Sequence, residues 1–161
     1  MEELVKKISS YHILNYFLPG VVFVILANKF TNYNLFVDNV IFAFFMYYFI
    51  GLTISRVGSL ILDPIYKKIG LVRMLPYDDY LLAQKKDPQL DVLSEANNMF
   101  RSLSSTFFLL LLLKLWQILE IRLDILRMNN YWILIITLFL LFIFSYRKQT
   151  SYITSRINKV K

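Results

Sequence analysis

The chain of 161 residues has no cysteine and a single histidine, His12. The first absence excludes disulfides, thiolate metal sites and cysteine nucleophiles together. The second removes Ser-His triads built elsewhere in the chain, two-His zinc helices and the paired-histidine sites of membrane hydrolases, because each needs a histidine that is missing. Glycine and proline number four each. No glycine-rich phosphate loop, Gly-x-Ser-x-Gly elbow, His-Glu-x-x-His or EF-hand loop occurs. The composition therefore predicts no catalytic residue, no resident metal and no cofactor.

Charge is the next thing in short supply. Residues 8–28, 39–55, 102–119 and 128–146 are apolar and almost free of charge, each close to the roughly 20 residues needed to cross about 30 Å of hydrocarbon. With 57% hydrophobic and 17% aromatic residues, little remains for a separate globular domain, so residues 1–161 read as one all-α membrane domain with four transmembrane helices. Lys6 and Lys7 precede the first run and no small-x-small cleavage site follows it, which predicts a retained anchor rather than a cleaved signal. Heavy use of Phe, Ile, Leu, Asn, Lys and Tyr is the codon habit of an AT-rich bacterial genome.

The cations that are present are unevenly placed. Two lie before the first run, seven between Arg56 and Arg101 and five after Tyr146, against Lys29 in the first connection and Arg122 and Arg127 in the third. By the positive-inside rule, both termini and residues 56–101 are expected in the cytoplasm of a bacterial inner membrane. Trp116 and Trp132 flank the third connection, where an outer aromatic belt would hold them.

In the first span Pro19 and Gly20 fall at mid-membrane, where a missing backbone donor predicts a bend, either structural or part of a pore-lining break. Ser9, His12 and Asn15 or Tyr16 form a polar stripe that is expected to face protein or water. In the second, Ala43, Tyr47, Gly51, Ser55 and Ser59 recur every four residues, a small-residue ridge for close helix packing. That helix is expected to run past Arg56 and leave the membrane, with Asp63-Pro64 capping a new short helix that stops at Gly70. Asp78-Asp79 reads as part of a helix start running to Lys86, with cation binding as the alternative.

Asp87-Pro88 repeats the capping device, and Leu90, Leu93, Asn97, Phe100 and Ser104 then predict one long helix entering the third span. Asp87, Asp91 and Glu95 form an acidic stripe near its positive end, the candidate surface for a cytosolic partner. Lys114 is the only formal charge inside a span. It either snorkels toward Trp116 and Glu120 or lines a water-filled path with Gln117. In the tail, residues 147–161, the cations Arg147, Lys148, Arg156, Lys159 and Lys161 with Ile153, Ile157 and Val160 predict an amphipathic segment lying on anionic headgroups rather than on nucleic acid.

Small size, packing ridges and a helical cytoplasmic region together point to a protein that works by assembling. Asn97 sits where a coiled-coil core would hold an asparagine to set register. The expectation is a homo-oligomer whose spans line or gate a conducting path, with His12, Asn15, Lys114 and Gln117 as its polar residues. The alternative is a non-conducting anchor that recruits a cytosolic protein through residues 56–101. Arg56-Val57-Gly58-Ser59, Asp63-Pro64 and Leu93-Ser94-Glu95-Ala96-Asn97-Asn98 look like a signature of uncharacterised bacterial membrane proteins, and in span count, length and cytoplasmic middle region the chain resembles the small four-span membrane effectors of bacterial anti-phage systems, CRISPR-associated accessory proteins among them. That resemblance implies membrane permeabilisation after infection is sensed; it assigns no residue a role.

Overall fold

The computed structural model describes residues 13–160, so Ser9 and His12 lie outside the described residues, as does Lys161. The described residues are helical with no strand among them. Helix α1 spans Leu18–Phe30 and is preceded by a wide π-helical turn over Ile13–Phe17. Helix α2 runs through Val40–Lys68, α3 through Tyr77–Lys86, α4 through Gln89–Arg122 and α5 through Asp124–Val160. The segments Val40–Lys68, Gln89–Arg122 and Asn129–Ile157 are long and apolar enough to cross a membrane, and Asn15–Phe30 is a shorter apolar helix.

The chain divides into two units, Met1–Gln117 and Ile118–Lys161. In the first, α1 with its preceding turn packs along α2. Gly20 and Gly51 make that contact. A Cβ on Gly20 would overlap the carbonyl oxygen of Tyr47, and one on Gly51 would overlap the carbonyl oxygen of Tyr16. The two backbones thus touch where neither helix carries a side chain, the close approach that small residues permit between helices surrounded by lipid-like surface. Aromatic rings close the flanks: Tyr16 meets Tyr48 edge to face at 5.7 Å, and Phe17 lies 4.8 Å from Phe44.

Prolines are handled alike in α1 and α2. In a regular helix a proline ring strikes the carbonyl four residues earlier. For Pro19 that residue is Asn15, within the wide turn Ile13–Phe17; for Pro64 it is Leu60, within a second wide turn, Gly58–Leu62. Each extra residue opens the ladder just before the ring. The helix therefore passes Pro64 instead of restarting there. Asp63 is helical and does not cap a new helix, a correction to the reading of Asp63-Pro64; its carboxylate instead accepts from Lys67 Nζ at 2.8 Å. The stop at Gly70 is as read: φ is +75°, with Gly70 N bonded to Lys67 O and Leu71 N to Tyr66 O, the paired bonds that close a helix on a left-handed glycine.

Asn39 caps α2, its side chain accepting from Phe42 N at 3.0 Å. Thr31 ends α1 with both its backbone N–H and its hydroxyl on the Ala27 carbonyl. Asn28 then pins the connection to α2, donating to Val24 O at 2.7 Å and accepting from Leu35 N at 2.9 Å. Asp87 caps α4 by accepting from Gln89 N at 3.0 Å, and 34 residues make α4 about 51 Å long.

The second unit takes the end of α4 and all of α5. Only Leu123 separates the two helices, a far tighter connection than residues 120–127. Helix α5 then holds its 37 residues in one piece, about 55 Å. The tail is thus a continuation of the helix through Val160 and not a separate segment. No glycine or proline lies between Asp124 and Lys161, so nothing interrupts its hydrogen-bond ladder.

Candidate polar sites between the helices

Buried polar side chains mark where these apolar helices do more than fill space. Two polar groupings stand out in the first unit. At one, α2 meets α4: Tyr66 Oη and Ser104 Oγ share a hydrogen bond of 2.6 Å, and a Cβ on Gly58 would overlap Ser105 Oγ and stand 3.3 Å from Arg101 Cγ. Ser102, Ser105 and Thr106 are fully buried. Two of these hydroxyls are satisfied along their own helix, Ser105 on Arg101 O at 2.8 Å and Thr106 on Ser102 O at 3.0 Å. Arg101 Nε and Ser102 Oγ are buried without a hydrogen-bond partner.

The second cluster joins α4 to the end of α1. Lys114 Nζ donates to the carbonyl of Phe30 and to Oε1 of Gln117, both at 3.2 Å. Phe30 is the last residue of α1, so its carbonyl is one of the four that the helix leaves unbonded, at the negative end of the dipole. Lys114 supplies both a donor and a positive charge there. Gln117, otherwise a buried amide, is satisfied in the same arrangement.

Asn15, Pro19 and Gly20 are all buried, in the stretch where α1 and its wide turn pack along α2. Gly51 and Ser55 are buried and Ser59 is half-buried, while Asn97 is exposed. Of the acidic stripe, Asp87 is the cap of α4 and Asp91 accepts from Gln84 Nε2, tying α3 to α4; Glu95 is half-buried. In α5, Arg147 and Arg156 are exposed and Lys148 Nζ lies 6.0 Å from the Tyr152 ring centre; the Lys159 side chain lies outside the described residues. No group of three His, Cys, Asp or Glu capable of holding a metal ion occurs among the described residues.

Arg101, Ser102, Ser105 and Thr106 escape a reading by hydrophobic period, which treats them as the entrance to a span. The signal was a run of hydroxyl residues, Ser102, Ser104, Ser105 and Thr106, at the start of an apolar stretch, opposite a glycine that only the fold identifies as Gly58. Comparison with protein-family models, with curated proteins and with solved structures finds no match.

Proposed function

We propose that the chain is a four-span integral membrane protein that works as a homo-oligomer, and that the assembled spans line or gate a conducting path. The observation that carries this reading is an uncovered apolar face on the first turns of α4. Val92, Leu93 and Phe100 are each more than 60% exposed, with exposed Asn97 between them. Counted from Gln89 to Arg101, this stretch extends α4 about 18 Å beyond its apolar run, where lipid does not solvate it. A second copy of the same helix covers such a face and pairs Asn97 with Asn97.

Conduction belongs between copies because four polar span residues are bonded within one chain: Lys114 to Phe30 and Gln117, Ser105 and Thr106 along their own helix. The charge distribution favours both termini in the cytoplasm of a bacterial inner membrane, and membrane depolarisation in antiviral defence belongs to the same proposal. The adaptor reading is less well supported, because Asp87 and Asp91 are already engaged as cap and tether within the chain.

The cysteine-free sequence makes the test direct. Asn97→Cys in native membranes is expected to cross-link copies at once under mild oxidation, whereas Glu120→Cys is not. Liposomes holding the wild-type protein should pass small ions. Monomers at every detergent concentration, with no Asn97 cross-link, refute assembly; oligomers that leave liposomes sealed refute conduction alone.

A further inference from the structure

The α2–α4 cluster holds a cation whose buried donor lacks an acceptor, and its height in the molecule identifies what can supply one. From Val40, at the start of α2, to Gly58 is about 27 Å along the helix, and from Leu119 back to Arg101 along α4 is again about 27 Å. Lys114, about 20 Å along α4 from Arg101, meets Phe30 toward the other side of the same stretch. Two helices thus bring Gly58 and Arg101 independently to one boundary of a hydrocarbon layer about 30 Å thick, the level at which phospholipid phosphates lie. Gly58 lets the two helices close there: a side chain on it would press on Arg101 Cγ and displace Ser105 Oγ.

Among the described residues no carboxylate pairs with Arg101, and Nε is buried without a hydrogen-bond partner. A guanidinium has five donors in a planar fork that matches two oxygens of a phosphate. Leaving a buried N–H of such a group unbonded forfeits its hydration with no return. We infer that half-buried Arg101, packed beside Gly58, seats the phosphate of an anionic phospholipid headgroup at the edge of the α2–α4 contact. The inference rests on the membrane-spanning reading above and is independent of conduction. Bound lipid would clamp α2 to α4 at the wide turn Gly58–Leu62, where the α2 ladder is already open.

The test uses the purified full chain in neutral detergent, with native mass spectrometry after adding phosphatidylglycerol, phosphatidylcholine or inorganic phosphate. Wild type is expected to retain one phosphatidylglycerol per chain. Arg101→Gln should weaken retention about tenfold or more, the worth of one charge-assisted bond. Arg101→Lys keeps the charge and helix but loses the fork, and should weaken it by a smaller factor; Lys86→Gln should leave it unchanged. Helix content by circular dichroism shows whether each variant is folded, and the lysine variant serves if the glutamine variant is not.

Equal retention by wild type and Arg101→Lys together with Arg101→Gln overturns the site, as does equal retention of phosphatidylcholine. Displacement of the lipid by millimolar inorganic phosphate assigns the seat to a soluble phosphate and overturns the lipid source. Loss of binding sites only on dimerisation assigns Arg101 to a carboxylate of a second copy and overturns both. Labelling of single cysteines placed at residues 86 and 123 reads the spans on the same samples, so a failed lipid site with intact spans leaves the proposed function standing.

Discussion

Replacing Gly51 with alanine should separate α1 from α2, although it adds one methyl group. The new carbon would overlap the Tyr16 carbonyl oxygen and lie 2.6 Å from its carbon and 3.0 Å from Gly20 N. Carbon atoms pack best at about 3.5–4.0 Å, so the helices must part by about 1 Å or more, and a gap of that size already forfeits a quarter to a half of each contact along the seam. None of the overlapping atoms is the end of a flexible side chain, so no rotamer change relieves them. Overpacking of this kind costs about 1–3 kcal/mol.

The assay is reversible unfolding in mixed micelles followed by circular dichroism. Gly51→Ala and Gly20→Ala should each be destabilised by that amount. The double variant should fall short of their sum, because one displacement relieves both overlaps. Gly70→Ala is the contrast: its φ is positive but nothing stands within 4 Å of the added carbon, so its cost should be near the roughly 1 kcal/mol of a strained left-handed residue. Gly51→Ala matching wild type within about 0.5 kcal/mol would refute the backbone contact between the two helices.

Lys114→Leu removes the donor on the Phe30 carbonyl and on Gln117 Oε1; the first contact is exposed and the second part-buried, so thermal unfolding should show a loss of about 0.5–1.5 kcal/mol, while Lys114→Arg recovers part of it. Asn28→Ala should cost about 1 kcal/mol and raise amide exchange at Leu35, read by hydrogen exchange with mass spectrometry. Asp87→Ala should lower stability by about 0.5–2 kcal/mol and fray the first turn of α4, whereas Asp87→Ser keeps most of the cap. Pro64→Ala should preserve helix through Lys68 and leave the α2 boundaries unchanged; a new break near Leu60 in hydrogen exchange would contradict the account of the wide turn.

Much of the architecture was legible residue by residue. The stops and starts at Gly70 and Asp87-Pro88 follow from local backbone chemistry, which needs no neighbour: a left-handed residue prefers glycine, and a carboxylate before a proline caps the next turn. The long reach of α4 was likewise visible in the 3-4 spacing from Leu90. Asp63-Pro64 carries the same letters as Asp87-Pro88 and was misread for that reason. A wide turn upstream absorbed the ring of Pro64, and no rule of local preference announces where a helix will take in an extra residue.

The polar sites divide in the same way. Lys114 with Gln117 was recognisable as a pair on one face of a helix, but the third member, the Phe30 carbonyl, comes from 84 residues away. Gly51 stood out on a small-residue ridge, yet the ridge could not say that Gly20 was its counterpart. Arg101 looked like the last residue before a span.

Taken alone, the order of amino acids determines that this protein has helices long and apolar enough to cross a membrane, and with them its helical class and most of its helix ends, because hydrophobic period, caps and left-handed stops act over a few neighbouring residues. Only the tertiary structure decides which glycines touch, that Lys114 closes the end of α1, and that Arg101 keeps a buried donor beside Gly58. Those facts depend on the crossing of helices distant in the chain, where a fraction of an ångström separates contact from overlap.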